Sequence, residues 1–150
     1  MQGDPDRLVL ELSWLLAAPP ERIFRLLTEP QELAKWWGPS GFTTPEVEWR
    51  ARLGAAYRLG MQPPDGPLFH LTGEFVDIRP PSRLVFTFRW EEPDPDDKET
   101  TVALALAAVG AATKLSLSHG DFATEARLAL HRGGWTESIV KLRHLIEPAR

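Results

Sequence analysis

Leu8, Leu10, Leu12 and Trp14 alternate with Val9, Glu11 and Ser13. A period of two with one mostly polar face predicts a half-buried strand. Ala18-Pro19-Pro20 ends it, and proline in a first helical turn with Glu21 behind it suits a helix start. Ile23, Phe24 and Leu27 carry helical spacing for a short helix. Pro30 restarts the chain into a second, where Leu33, Trp36 and Trp37 fall at i, i+3 and i+4 and Gly38-Pro39 punctuates the end. The spacing leaves open which of Trp36 and Trp37 points inward.

From Pro45 the period returns to two. Val47, Trp49 and Ala51 alternate with Glu46, Glu48 and Arg50; after a turn near Leu53-Gly54, Tyr57, Leu59 and Met61 alternate with Ala56, Arg58 and Gly60. Pro63-Pro64-Asp65-Gly66-Pro67 predicts a loop. Phe69, Leu71 and Phe75 mark the next strand, closed by Pro80-Pro81. Leu84, Phe86, Phe88 and Trp90 follow on one face, opposite Val85, Thr87 and Arg89, with the strongest alternation in the chain. Glu91 to Glu99 contains six acids and two prolines and reads as a solvated hairpin loop protecting a sheet edge. Two smaller strands carry Val102, Leu104 and Leu106, then Leu115 and Leu117, about a turn at Gly110.

The last segment, from about Phe122 to Ile146, has helical period: Trp135, Ile139, Leu142 and Ile146 share a face, with Leu128 two turns before Trp135. Such a helix spans roughly 37 Å, enough to cross a sheet. Gly133-Gly134 in its middle costs about 2 kcal/mol relative to alanines. The pair predicts a close approach of helix backbone to sheet, or a kink; a bend that gates a ligand is the functional alternative. Strands joined by tight turns are antiparallel, and helices set apart from them give an α+β fold. The expectation is a curved antiparallel sheet of six or seven strands around a long C-terminal helix, with two short helices after the first strand. Nothing along residues 1–150 divides the domain.

The 150 residues are 43% hydrophobic and 25% charged, with a net charge of −4. That balance fits a folded domain and argues against general affinity for phosphate backbones or anionic lipid. With no cysteine, disulfides, thiolate nucleophiles and zinc–sulfur sites are excluded. The acidic start lacks the layout of a signal peptide, and no apolar run approaches the ~20 residues of a membrane span, so a cytoplasmic location is expected. His70, His119, His131 and His144 form no metal-binding pair, and no metal or other cofactor is expected. His119, in phase with Leu115 and Leu117, reads as a hydrogen-bonded structural histidine before an acid–base catalyst. Nucleophile-elbow, phosphate-loop and dinucleotide fingerprints are missing.

Leu16-Ala17-Ala18-Pro19-Pro20-Glu21-Arg22-Ile23-Phe24, then Lys35-Trp36-Trp37-Gly38-Pro39, resembles the opening of the Hsp90-ATPase-activator-like (AHSA1-like) proteins, members of the START-like, or Bet v 1-like, helix-grip superfamily. Three further stretches are similar to that family: Gly73-Glu74 through Pro80-Pro81-Ser82-Arg83-Leu84, then Ser118-His119-Gly120-Asp121-Phe122, then His131-Arg132-Gly133-Gly134-Trp135 with Leu142. Order and spacing together carry the resemblance over roughly residues 7–147. One departure is Leu53-Gly54-Ala55-Ala56-Tyr57, where many members have paired glycines. The resemblance implies a cavity between sheet and long helix for a small apolar molecule, and it implies no particular reaction.

The expected function is therefore binding of a small apolar or aromatic molecule. Trp37, Tyr57, Phe69, Phe86, Phe88, Trp90 and Trp135 are the aromatic candidates for the cavity wall, with Phe42, Leu59 and Ile139 beside them. Tyr57 is the expected polar contact, because a buried phenol needs a partner that a ligand or water could supply. One rival is an interaction domain docking on an Hsp90-type chaperone. The other is a cyclase- or lyase-type enzyme, which would need at least two inward polar groups converging on the cavity, with Tyr57, His119 and Asp77 as the candidates. Neither nucleic acid nor membrane insertion is expected, and the chain is expected to act as a monomer or homodimer without turnover.

Overall fold

A computed structural model describes residues 7–147. The chain runs β1 (Leu10–Leu16), α1 (Pro20–Thr28), α2 (Pro30–Trp36), β2 (Thr43–Glu48), β3 (Ala56–Gln62), β4 (Phe69–Arg79), β5 (Arg83–Trp90), β6 (Thr100–Val109), β7 (Ala112–Gly120) and α3 (Glu125–Ile146). Every neighbouring pair of strands is antiparallel, in the order β1-β7-β6-β5-β4-β3-β2. This is the α+β helix-grip fold: one sheet, its inner face covered by α1 and α2 at one end and by the long α3 across it. Among the described residues no helix is long and apolar enough to cross a membrane.

The periods along the chain become the two faces of the sheet. Leu84, Phe86 and Phe88 of β5 are buried on one side while Arg89 is exposed. Trp135, Ile139, Leu142 and Ile146 form the buried stripe of α3, joined by His131 and Ser138. The helix begins at Glu125 rather than near Phe122, because Thr124 caps it: its hydroxyl accepts the Arg127 backbone N–H at 3.1 Å. Its 22 residues span about 33 Å.

Two expectations are corrected here. The second strand stops at Glu48 and does not run on through Trp49 and Ala51. Trp49 leaves the ladder, turns in to 2% exposure, and its indole N–H donates to the Leu27 carbonyl at the end of α1 at 3.0 Å. The β5–β6 connection, Glu91 to Glu99, protects no sheet edge: β5 and β6 lie in the interior of the sheet, and the edges are β1 and β2. Nor is it merely solvated. It reaches across to α3, with consequences for the site.

Candidate functional site

The inner face of the sheet divides into a closed half and a hollow half. In the closed half, under α1 and α2, Trp49, Tyr57, Phe75 and Phe86 meet edge to face or tilted at centroid distances of 4.8 to 6.3 Å. Polar atoms among these rings find backbone acceptors. Trp36 Nε1 donates to the Leu26 carbonyl at 2.8 Å, and the Tyr57 hydroxyl donates to the Thr87 carbonyl at 2.6 Å. Gly73 makes the second bond possible. It faces Tyr57 across the β3–β4 ladder, and a Cβ there would stand 2.1 Å from the Thr87 carbonyl oxygen and 2.7 Å from the tyrosine ring. Only glycine fits.

The hollow half holds a cavity of about 410 Å³, within the range of roughly 300–1,000 Å³ usual for small-molecule sites. Six of the expected residues line it: Trp37, Phe42, Phe69, Phe88, Trp90 and Trp135. The other four, Tyr57, Leu59, Phe86 and Ile139, lie at or below 2% exposure in the closed core and do not border it. Tyr57 is therefore not the polar contact of the cavity; its phenol is spent on the backbone. The alternative between the two tryptophans is resolved by packing. Trp36 is fully buried against α1, whereas Trp37 turns to the cavity and packs edge-on against Trp135 at 5.4 Å.

The two glycines of α3 serve no close approach. A methyl at Gly133 would meet nothing within 4 Å, and one at Gly134 only Pro39 at 3.8 Å. The helix continues through them. Gly134 borders the cavity, and its missing side chain is part of the empty volume.

Behind the cavity wall His119 is wholly buried and hydrogen-bonded on both sides. Trp135 Nε1 donates to His119 Nδ1 at 3.0 Å, so a neutral ring carries its proton on Nε2 and donates to Thr100 Oγ1 at 2.8 Å. The Thr100 hydroxyl donates in turn to the Phe88 carbonyl at 3.3 Å. Burial, and the neighbouring His131, hold the His119 pKa well below the usual histidine value. Asp77 is engaged by Arg83 at 3.1 Å. Tyr57, His119 and Asp77 thus do not converge, and none of them lines the cavity.

His131, Met61, Ser138 and the charged rim are lining residues that the sequence reading left out. His131 stands one turn before Trp135 on the same face of α3, a spacing that was there to be read. Its Nδ1 donates to the Arg127 carbonyl at 2.7 Å, and burial pushes its pKa down. On the rim, the β5–β6 loop grips α3. Arg127 pairs with Asp94, with Asp96 at 2.9 Å and with Asp97 at 3.4 Å, while the Thr124 hydroxyl donates to Asp96 at 3.0 Å. The guanidinium and that hydroxyl hold the Asp96 carboxyl below the usual range. Opposite, Glu137 of α3 accepts the Ser40 N–H at 2.8 Å, fixing the turn that carries Pro39 and Phe42.

His70, Glu91 and Glu92 bring possible metal-ligating atoms within 4.8 Å of one another. Their atoms already have partners: His70 Nε2 meets Glu46 at 2.7 Å, and Arg58 forks onto Glu91 at 2.7 and 2.9 Å. The trio is a knot of hydrogen bonds around the Arg58–Glu91 ion pair.

Comparison with known proteins places this geometry. A family model described as activator of Hsp90 ATPase homolog 1-like protein matches residues 17–147. A crystal structure of a Chromobacterium violaceum protein is 28% identical, covering 94% of this chain and 98% of its own, with a TM-score of 0.85. An AHSA1 protein of Silicibacter pomeroyi is also 28% identical, over 93% and 97%, with a TM-score of 0.82. A Mycobacterium smegmatis protein, at 22% identity over 99% and 96% and a TM-score of 0.81, shares the fold. No curated protein sequence matches the chain.

Proposed function

Because the chain belongs to the activator of Hsp90 ATPase homolog 1-like family, in which no single reaction follows from the fold, we propose that it binds a small, largely apolar molecule in the cavity between sheet and α3. The observation that carries this reading is the cavity itself: about 410 Å³ with six aromatic side chains, Met61 and Leu130 in its walls. Well-packed interiors leave few voids larger than a water molecule. The same sheet face closes fully a few residues away, so the space is a local feature of the design. A ligand of ten to twenty heavy atoms, roughly, suits such a volume.

Binding proceeds without turnover in this reading. His119, the acid–base candidate, is held neutral with both ring nitrogens occupied, and an acid–base catalyst must reach the reacting atom. The test is a thermal-shift screen of small apolar and aromatic compounds on wild type and on the double variant Phe88→Trp, Gly134→Leu, whose added side chains fill much of the cavity from the sheet and the helix. Hits that vanish in the filled variant, and that change tryptophan emission through Trp37, Trp90 and Trp135, support the reading. Hits retained by the filled variant would sink it.

A second reading, docking on an Hsp90-type chaperone, draws support from the matching family's description. It predicts saturable binding to such a chaperone that the filled variant leaves unchanged, and no compound hits.

A further inference from the structure

The polar groups facing the cavity are unbalanced in both charge and hydrogen-bonding sense. Its rim carries Glu92, Asp94 and Asp97 against one guanidinium, Arg127. That guanidinium is already shared among Asp94, Asp96 and Asp97, so negative charge remains in excess at the mouth. Two further cations are near: Lys98, beside Asp96 and Asp97 on the loop, and Lys141 behind the Trp37–Pro39 turn, which donates to the Trp37 and Pro39 carbonyls at 3.4 and 3.3 Å.

Deeper in, His131 is only 8% exposed. Since its Nδ1 must donate to the Arg127 carbonyl, the Nε2 of a neutral ring is an acceptor, and it has no partner among the described residues. No buried side-chain nitrogen or oxygen among the described residues is left without a partner, so this atom is open to water, which a donor on a ligand would replace. Phe88 and Trp90 stand beside the His131 ring at centroid distances of 5.5 and 6.1 Å, Trp37 and Phe69 line the same cavity, and aromatic faces attract cations.

We propose that the ligand is a hydrophobic amine: an aromatic or alkyl body in the cavity, with a protonated nitrogen directed to the acidic rim or to His131. This rests on the binding reading above and narrows its chemistry. Carboxylic acids of the same shape would place like charge against Glu92 and Asp94, so fatty-acid-like ligands are the class disfavoured.

Three probes of one shape separate the possibilities: naphthylethylamine, naphthylethanol and naphthylacetic acid, titrated by calorimetry or tryptophan emission at neutral pH and low salt. The amine should bind about tenfold tighter than the alcohol and the acid weakest, in line with cation–aromatic and partly exposed ion-pair energies. In Glu92→Gln and in Asp94→Asn the amine should weaken by about threefold, and added salt should shrink its advantage. The alcohol should bind both variants as it binds wild type, which also reports that they are folded. Equal binding of amine and alcohol, or tighter binding of the acid, overturns the amine assignment and leaves the cavity reading standing. Failure of all three probes to bind overturns both.

Discussion

The closed and hollow halves of the inner sheet face are built from the same kinds of residue, yet one is solid and the other is not. Phe86 and Phe88 are two positions apart on β5 and point the same way. Phe86 is met by Trp37, Trp49, Tyr57 and Phe75. Phe88 is met by Trp90, His119 and His131, and borders open space. What differs is the cover. Over the closed half, α1 and α2 contribute Trp36 directly and carbonyl acceptors to Trp36 and Trp49. Over the hollow half the helix is α3, flanked by the Trp37–Phe42 turn and the β5–β6 loop, and it presents Gly134 and His131 where a bulkier apolar pair would seal the gap. Emptiness here comes from withheld side chains and a single layer of cover, with no change in the character of the sheet.

The largest test of that contrast is truncation. Trp49→Ala should cost about 3–5 kcal/mol in denaturant unfolding, because it empties a filled site. Phe42→Ala, at the half-exposed mouth, should cost no more than about 1 kcal/mol. Similar losses at the two sites would mean that the cavity half is as tightly packed as the other and that the division is illusory.

Titration should separate the halves next. The His119 ring, in the hollow half, protonates less readily folded than unfolded, so the unfolded chain takes up its proton first. Stability should be full above about pH 6.5 and fall below it by up to about 1.4 kcal/mol per pH unit, levelling once the folded ring protonates. His131 shifts in the same direction, so His119→Gln should reduce the slope without abolishing it. In the closed half, burial raises the Tyr57 pKa well above 10.0, so unfolding lets it ionise. Stability should fall with rising pH above about 10. That alkaline limb should be reduced in Tyr57→Phe. An acid slope unaffected by His119→Gln would remove the buried neutral histidine from the account.

Tyr57→Phe sharpens the comparison at neutral pH. Loss of the bond to the Thr87 carbonyl should cost about 0.5–1.5 kcal/mol of stability and leave the affinity of any cavity ligand unchanged. A changed affinity would place Tyr57 functionally in the hollow half. The smallest effect belongs to α3. Gly133→Ala, with open space for its methyl, should stabilise by up to about 1 kcal/mol. Gly134→Leu should remove ligand binding while leaving the fold intact.

Much of this was legible from spacing alone. The alternation of Leu84, Phe86, Phe88 and Trp90 gives the inner face of β5, and the stripe through Trp135, Ile139 and Leu142 gives the register of α3. Where along that face the space opens was not legible, since Tyr57 and Phe88 carry identical periodic signals. Their difference depends on which helix lies above them, a contact between distant parts of the chain. The same holds for the grip of Arg127 on Asp94, 33 residues apart. Six acids between two strands look solvated until the fold brings a guanidinium to them. Trp49 misled for a third reason: its phase matched Val47, but an indole N–H seeking an acceptor drew it out of the ladder.

The bond pattern around His119 also constrains how the sequence can drift. The side chain at 119 must accept from Trp135 on one side and donate to Thr100 on the other. Imidazole does both, as can the amide of glutamine or asparagine, while leucine or phenylalanine would strand an indole N–H in the dark of the core. In relatives that lack tryptophan at the position of 135, the need for an acceptor disappears and so does the constraint at 119. The two positions should therefore change together across the family, one helix and one strand bound by a single proton's direction.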